Sequence, residues 1–113
     1  MVAENDKKRA AFQALADRVR TGRGRAPARQ RVQAFDGGAG LPPPLAALAG
    51  KVATRPAEVT GADFAAAKAA GFTEDQVFEL VVCAAVGQAA RLYDAGLAAL
   101  AEATREPEPG HAA

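Results

Sequence analysis

The 113-residue chain contains no tryptophan, one tyrosine, one methionine, one histidine and a single cysteine, Cys83. A lone cysteine excludes a disulfide-stapled secreted fold. No His, Cys and carboxylate cluster stands at ligand spacing, so no metal site is expected, and no cofactor motif is present. The run Asp36-Gly37-Gly38-Ala39-Gly40 lacks the lysine anchor and the preceding strand of a phosphate-cradling loop. No stretch approaches about 18 uninterrupted apolar residues, so no membrane span is expected. The N-terminal segment from Met1 to Arg9 lacks the apolar centre of a signal peptide, which makes the expected location cytoplasmic.

Small residues are abundant instead. There are 31 alanines and 11 glycines against five phenylalanines, so the core must be thin and made by backbones approaching closely. Alanine is the best helix former and a poor strand former, which favours an all-α protein before any motif is read.

Charge is balanced overall and lopsided along the chain. Residues 1–31 carry a net +6 and residues 32–113 a net −5. The basic focus is Arg18, Arg20, Arg23 and Arg25, spaced by Val19, Thr21, Gly22 and Gly24, and followed by Arg29 and Arg31. These six arginines are the candidate partner-binding residues, for a protein or, through phosphates, for a nucleic acid. No aromatic residue interleaves them to stack on bases. A solvated connection whose arginines pair with the acidic remainder is the plainer reading.

Glycine and proline divide the chain into about five helical segments. The first spans roughly residues 5–20, with Ala11, Leu15 and Val19 at four-residue steps and Phe12 beside them. A short one spans 27–35, with Pro27 suited to a first turn. Pro42-Pro43-Pro44 opens a third, whose stripe is Leu45, Leu48 and Val52 and which Pro56 stops near Thr54. Thr60 with Asp63, and Thr73 with Gln76, are two capping boxes 13 residues apart, each preceded by an apolar residue, Val59 or Phe72, that can staple to Phe64 or Val77. They fix a short helix ending at Gly71 and a long one from Thr73 to about Ala103. The expected division is a basic helical arm and linker over 1–40, a helical core over 41–104, and a disordered tail over 105–113.

The first half of the long helix is apolar on nearly every side. Val77, Phe78, Val81, Val82 and Val86 are therefore expected at an interface between copies of the chain, with Gly87, Ala90 and Gly96 permitting close approach. Arg91 joins this set: Glu79, a charge inside the apolar run, could face a water-filled cavity, cap another helix or pair with an arginine, and Arg91 is the natural partner, reached on another helix or subunit. Gln88, Tyr93 and Asp94 could join a polar cluster there, although Asp94 could equally bond Arg91 within one helix.

The run from Leu41-Pro42-Pro43-Pro44-Leu45 to Val59-Thr60, and from Ala69-Ala70-Gly71-Phe72-Thr73-Glu74-Asp75-Gln76-Val77-Phe78-Glu79-Leu80 to Arg91-Leu92, resembles the carboxymuconolactone decarboxylase-like family, which shares its fold with alkylhydroperoxidase D. The resemblance spans about 60 residues, from 41 to 100. It implies packed helical hairpins that assemble into trimers or hexamers, and active members that reduce peroxides or decarboxylate a muconolactone by acid–base chemistry. The Cys-x-x-Cys-x-x-x-His motif of the peroxidases is missing. Cys83 is followed at +3 by Val86 and at +7 by Ala90, no second cysteine can resolve a sulfenate, and the one histidine is His111.

Cys83 and Glu79 remain the candidate catalytic residues, one helical turn apart. A neighbouring carboxylate and burial both raise a thiol's pKa, which opposes nucleophilicity and favours Cys83 as an apolar filler. The expected function is therefore that of a non-peroxidatic, homo-oligomeric accessory or protein-interaction subunit. A single-cysteine thiol peroxidase or decarboxylase-like enzyme using Cys83 and Glu79 is one alternative, and nucleic-acid binding through the basic arm is another.

Overall fold

The computed structural model describes residues 2–105; the tail read from sequence as disordered, with His111, lies outside them except for Arg105. The described chain is all-α, as expected. Five helices follow one another: α1 (Val2–Thr21), α2 (Ala28–Phe35), α3 (Pro43–Thr54), α4 (Gly61–Ala69) and α5 (Glu74–Thr104), with a 3-10 turn at Pro56–Glu58 between α3 and α4. Among the described residues there is no strand.

Local chemistry accounts for most of the boundaries. Pro27 and Pro42 stand at the N-caps of α2 and α3, where a missing N–H costs nothing. At α4 the Asp63 carboxylate accepts the Thr60 backbone N–H at 2.9 Å and the Lys51 ammonium at 2.9 Å. The Lys51 bond, with the Thr60 N–H, holds the Asp63 carboxyl below its ordinary value. At α5 the box closes both ways: the Gln76 N–H donates to Thr73 Oγ1 at 3.2 Å, and the Thr73 N–H donates to Gln76 Oε1 at 3.0 Å. Gly71, at φ 102°, makes the turn between the two helices in a backbone conformation that side chains disfavour.

The core is thin, as the composition demands. Its largest fully buried side chains are Leu45, Leu48 and Cys83, and alanines 16, 26, 34, 49, 67 and 84 fill most of the rest. Ala16, Ala26, Ala34 and Phe35, all within the first 40 residues, belong to the same buried cluster as Leu45, Leu48 and Leu80. The N-terminal segment read as an arm and linker thus supplies part of the core.

α1 turns a different face inward from the one its spacing suggested. Ala16 is buried with Val19 half-buried, while Leu15 is 47% exposed. Phe12 stacks on Tyr93 of α5, with ring centroids 4.8 Å apart, and this aromatic contact sets the rotation of α1. The molecule is elongated, 62 × 29 × 21 Å, because α5 at 31 residues is about 46 Å long. Its N-terminal half packs on α2, α3 and α4, whereas Asp94, Ala95, Ala98 and Leu100 farther along are exposed.

Candidate functional site

Cys83 and Glu79 do come together, both lining a cleft of about 230 Å3 bounded by α1, the α1–α2 connector, α2 and α5. Neither is free to react. Glu79 anchors the end of the connector that leads into α2: Oε1 accepts the Arg25 N–H at 2.7 Å and Oε2 accepts the Ala26 N–H at 2.6 Å. Gly24 lies so close that a Cβ there would meet both oxygens at 3.0 Å. Burial alone would raise the Glu79 pKa; the N–H groups of Ala26 and Arg25, with the charges of Arg31 and Arg25, override it and hold the carboxyl below its ordinary value. A carboxylate so engaged is a weak base.

The Cys83 thiol is buried, 1% exposed, and donates to the Val19 carbonyl at 3.2 Å. Burial pushes its pKa up, the nearby Glu79 charge pushes it further, and Arg31 opposes both. A protonated, enclosed thiol is a poor nucleophile. Native Cys83 is therefore expected to react with an aromatic disulfide reagent at pH 7.5 on the order of a hundredfold more slowly than the same thiol in the unfolded chain. Following the two rates with and without denaturant checks this, and equal rates would refute it.

The pairing of Glu79 with Arg91 does not occur within the chain. Arg91 Nη1 donates to the Phe35 carbonyl at 2.8 Å, which satisfies the end of α2, and its Nε and Nη2 donate to Gln88 Oε1 at 3.2 and 3.1 Å. Tyr93 is taken by Phe12. The cluster of Gln88, Arg91, Tyr93 and Asp94 reduces to the Gln88–Arg91 bond.

The six arginines have separate fates. Arg18 and Arg23 line the cleft, and Arg25 and Arg29 are exposed. Arg20 pairs with Asp17 at 2.6 Å and lies 4.3 Å over the Phe35 ring. Arg31 is buried at 7% exposure, with Nε donating to Ala26 O at 3.1 Å and Nη1 to Gly22 O at 2.6 Å and Val19 O at 3.4 Å. It staples the connector to α2 instead of facing a partner. Its position one turn before Ala34 and Phe35, on the same helical face, was the signal for this burial.

The apolar half of α5 also splits. Val77 is buried inside the chain, while Val81, Val82 and Val86 are half-buried and Phe78 is 67% exposed. Beside Phe78 lies a groove of about 430 Å3 between α4 and α5, lined by Phe64, Val77 and Val81 with Lys68 and Glu74 among its walls. By length and composition α5 is apolar enough to cross a bilayer, which a count of uninterrupted apolar residues misses, and only 22% of its most apolar stretch is buried. Among the described residues no three His, Cys, Asp or Glu side chains are grouped to hold a metal ion.

No protein-family model, curated protein or solved structure matches the chain.

Proposed function

We propose that the protein is a non-catalytic helical subunit that works by self-association through α5, a non-peroxidatic relative of the alkylhydroperoxidase-D-like proteins that serves as an accessory or protein-interaction module. The observation that carries this reading is Phe78, which is 67% exposed on a helix whose adjoining Val81 and Val82 are only half-covered. A phenylalanine so placed beside an apolar groove is a knob next to a hole. Two copies related by a two-fold axis can each fill the other's groove. The walls of that groove carry one charge of each sign, Lys68 and Glu74, so they add no net charge to repel a second copy. The engaged carboxylate of Glu79 and the enclosed thiol of Cys83 speak against either enzymatic alternative, and the commitment of Arg20 and Arg31 to the fold leaves less of the basic segment for nucleic acid.

Phe78→Asp tests the interface. Fully burying a phenylalanine contributes about 1.5–3 kcal/mol per copy, so the loss of two is expected to weaken self-association by about two orders of magnitude or more. Multi-angle light scattering should show the native chain assembled and the variant monomeric at the same concentration, with unchanged helicity. An unchanged assembly would exclude this face, and a monomeric native chain would exclude the function.

A further inference from the structure

We propose that the cleft between α1, the α1–α2 connector, α2 and α5 binds a small phosphate monoester, its phosphoryl group held by Arg18, Arg23 and Arg31 and its apolar body resting on Val19 and Val82. The first support is Arg31. A guanidinium 7% exposed with no carboxylate among the described residues within 4 Å is unusual, since a buried charge is costly without a counter-charge. Three backbone carbonyls take Nε and Nη1, while Nη2 makes no hydrogen bond among the described residues. The open space that Arg31 lines is this cleft, where a bound anion would supply the counter-charge that the guanidinium lacks.

The second support is the charge of the walls. Arg18 and Arg23, neither of which bonds another side chain among the described residues, line the same cleft. Glu79 is the one acid on it, and both its oxygens already accept backbone N–H groups of the connector. The lining is thus net +2, which suits a phosphate dianion better than a monoanionic carboxylate. Guanidinium groups arriving from separate directions also match the three terminal oxygens of a phosphate. At about 230 Å3 the space is smaller than the roughly 300–1,000 Å3 of drug-sized sites, and takes a phosphoryl group with a body about the size of one ring. Cys83 closes the floor as a protonated thiol already bonded to Val19, so the ligand is bound without a covalent step.

The test is a titration of the 15N-labelled full chain with phenyl phosphate, followed by amide shifts. The expected result is saturable shifts confined to α1, the connector, α2 and the first turns of α5. Phenol and inorganic phosphate are each expected to bind about tenfold more weakly or worse, as is phenyl phosphate to Arg23→Gln, since one charge-assisted contact is lost. Arg18→Gln provides a second variant on a different element, with the same expected loss. Shifts that are scattered or do not saturate, equal binding of phenol or of inorganic phosphate, or unchanged affinity in both variants would each overturn the proposal.

Discussion

Replacing Gly87 by alanine is expected to lower the melting temperature by about 8–16 °C, whereas the same replacement at Gly96 of the same helix is expected to raise it slightly. At Gly87 an added Cβ would overlap the Phe35 carbonyl oxygen and stand 2.7 Å from its carbon. Both are backbone atoms at the end of α2, so no side chain can swing aside. Relief requires α2 and α5 to separate, which loosens the cluster in which Ala34 and Ala84 are buried and strains the Arg91 bond to Phe35. Overpacking of this kind costs about 1–3 kcal/mol, and a backbone obstacle belongs at the upper end. Alanine's better helix propensity returns about 1 kcal/mol of it. At Gly96 nothing lies within 4 Å, so only the propensity gain remains. Thermal denaturation followed at 222 nm compares the two. If both replacements shift the midpoint the same way, the close α2–α5 approach is wrong.

The second large effect is expected at Glu79. Glu79→Ala removes the acceptor of two charge-assisted backbone bonds that reach across 53 and 54 residues of sequence. It leaves the part-buried Ala26 N–H without a partner and the exposed Arg25 N–H to water, a loss of about 1–3 kcal/mol. The pH dependence has a definite sign. The Glu79 carboxyl is held below its ordinary value in the folded chain, so its contribution is complete above its unfolded pKa and disappears as pH falls through the folded one. Glu79→Gln should therefore be less stable than the native chain at pH 7 and approach it in stability below about pH 3, past the ordinary carboxylate range. Urea denaturation at several pH values measures this difference. A gap between the two chains that does not narrow in acid would show that the Glu79 charge is not what holds the connector.

The helix boundaries were legible because their signals are local. Proline at residues 27 and 42, the two threonine caps and Gly71 act within a turn of themselves, and α2 to α5 begin and end within a few residues of where those signals place them. The rotation of α1 was not legible: four-residue spacing marks Leu15 as inward, but the Phe12–Tyr93 stack joins residues 81 positions apart and carries no local signature. Glu79 was recognisable as anomalous in an apolar run. Its partners were not, because they are backbone N–H groups, which any residue offers. Arg91 was assigned to Glu79 by charge alone, and the carbonyl it binds, that of Phe35, is likewise invisible in a string of side-chain types. Gly87 was read correctly as a place of close approach, but the approaching element is α2 of the same chain.

Sedimentation equilibrium of the native full-length chain over a range of concentrations addresses self-association most directly. An assembled mass at micromolar protein, a whole multiple of 11.5 kDa that falls towards one chain on dilution, is the expected outcome. A mass of 11.5 kDa at every concentration would mean that Phe78 and its neighbours on α5 stay exposed to water, and that self-association is not what the protein is for.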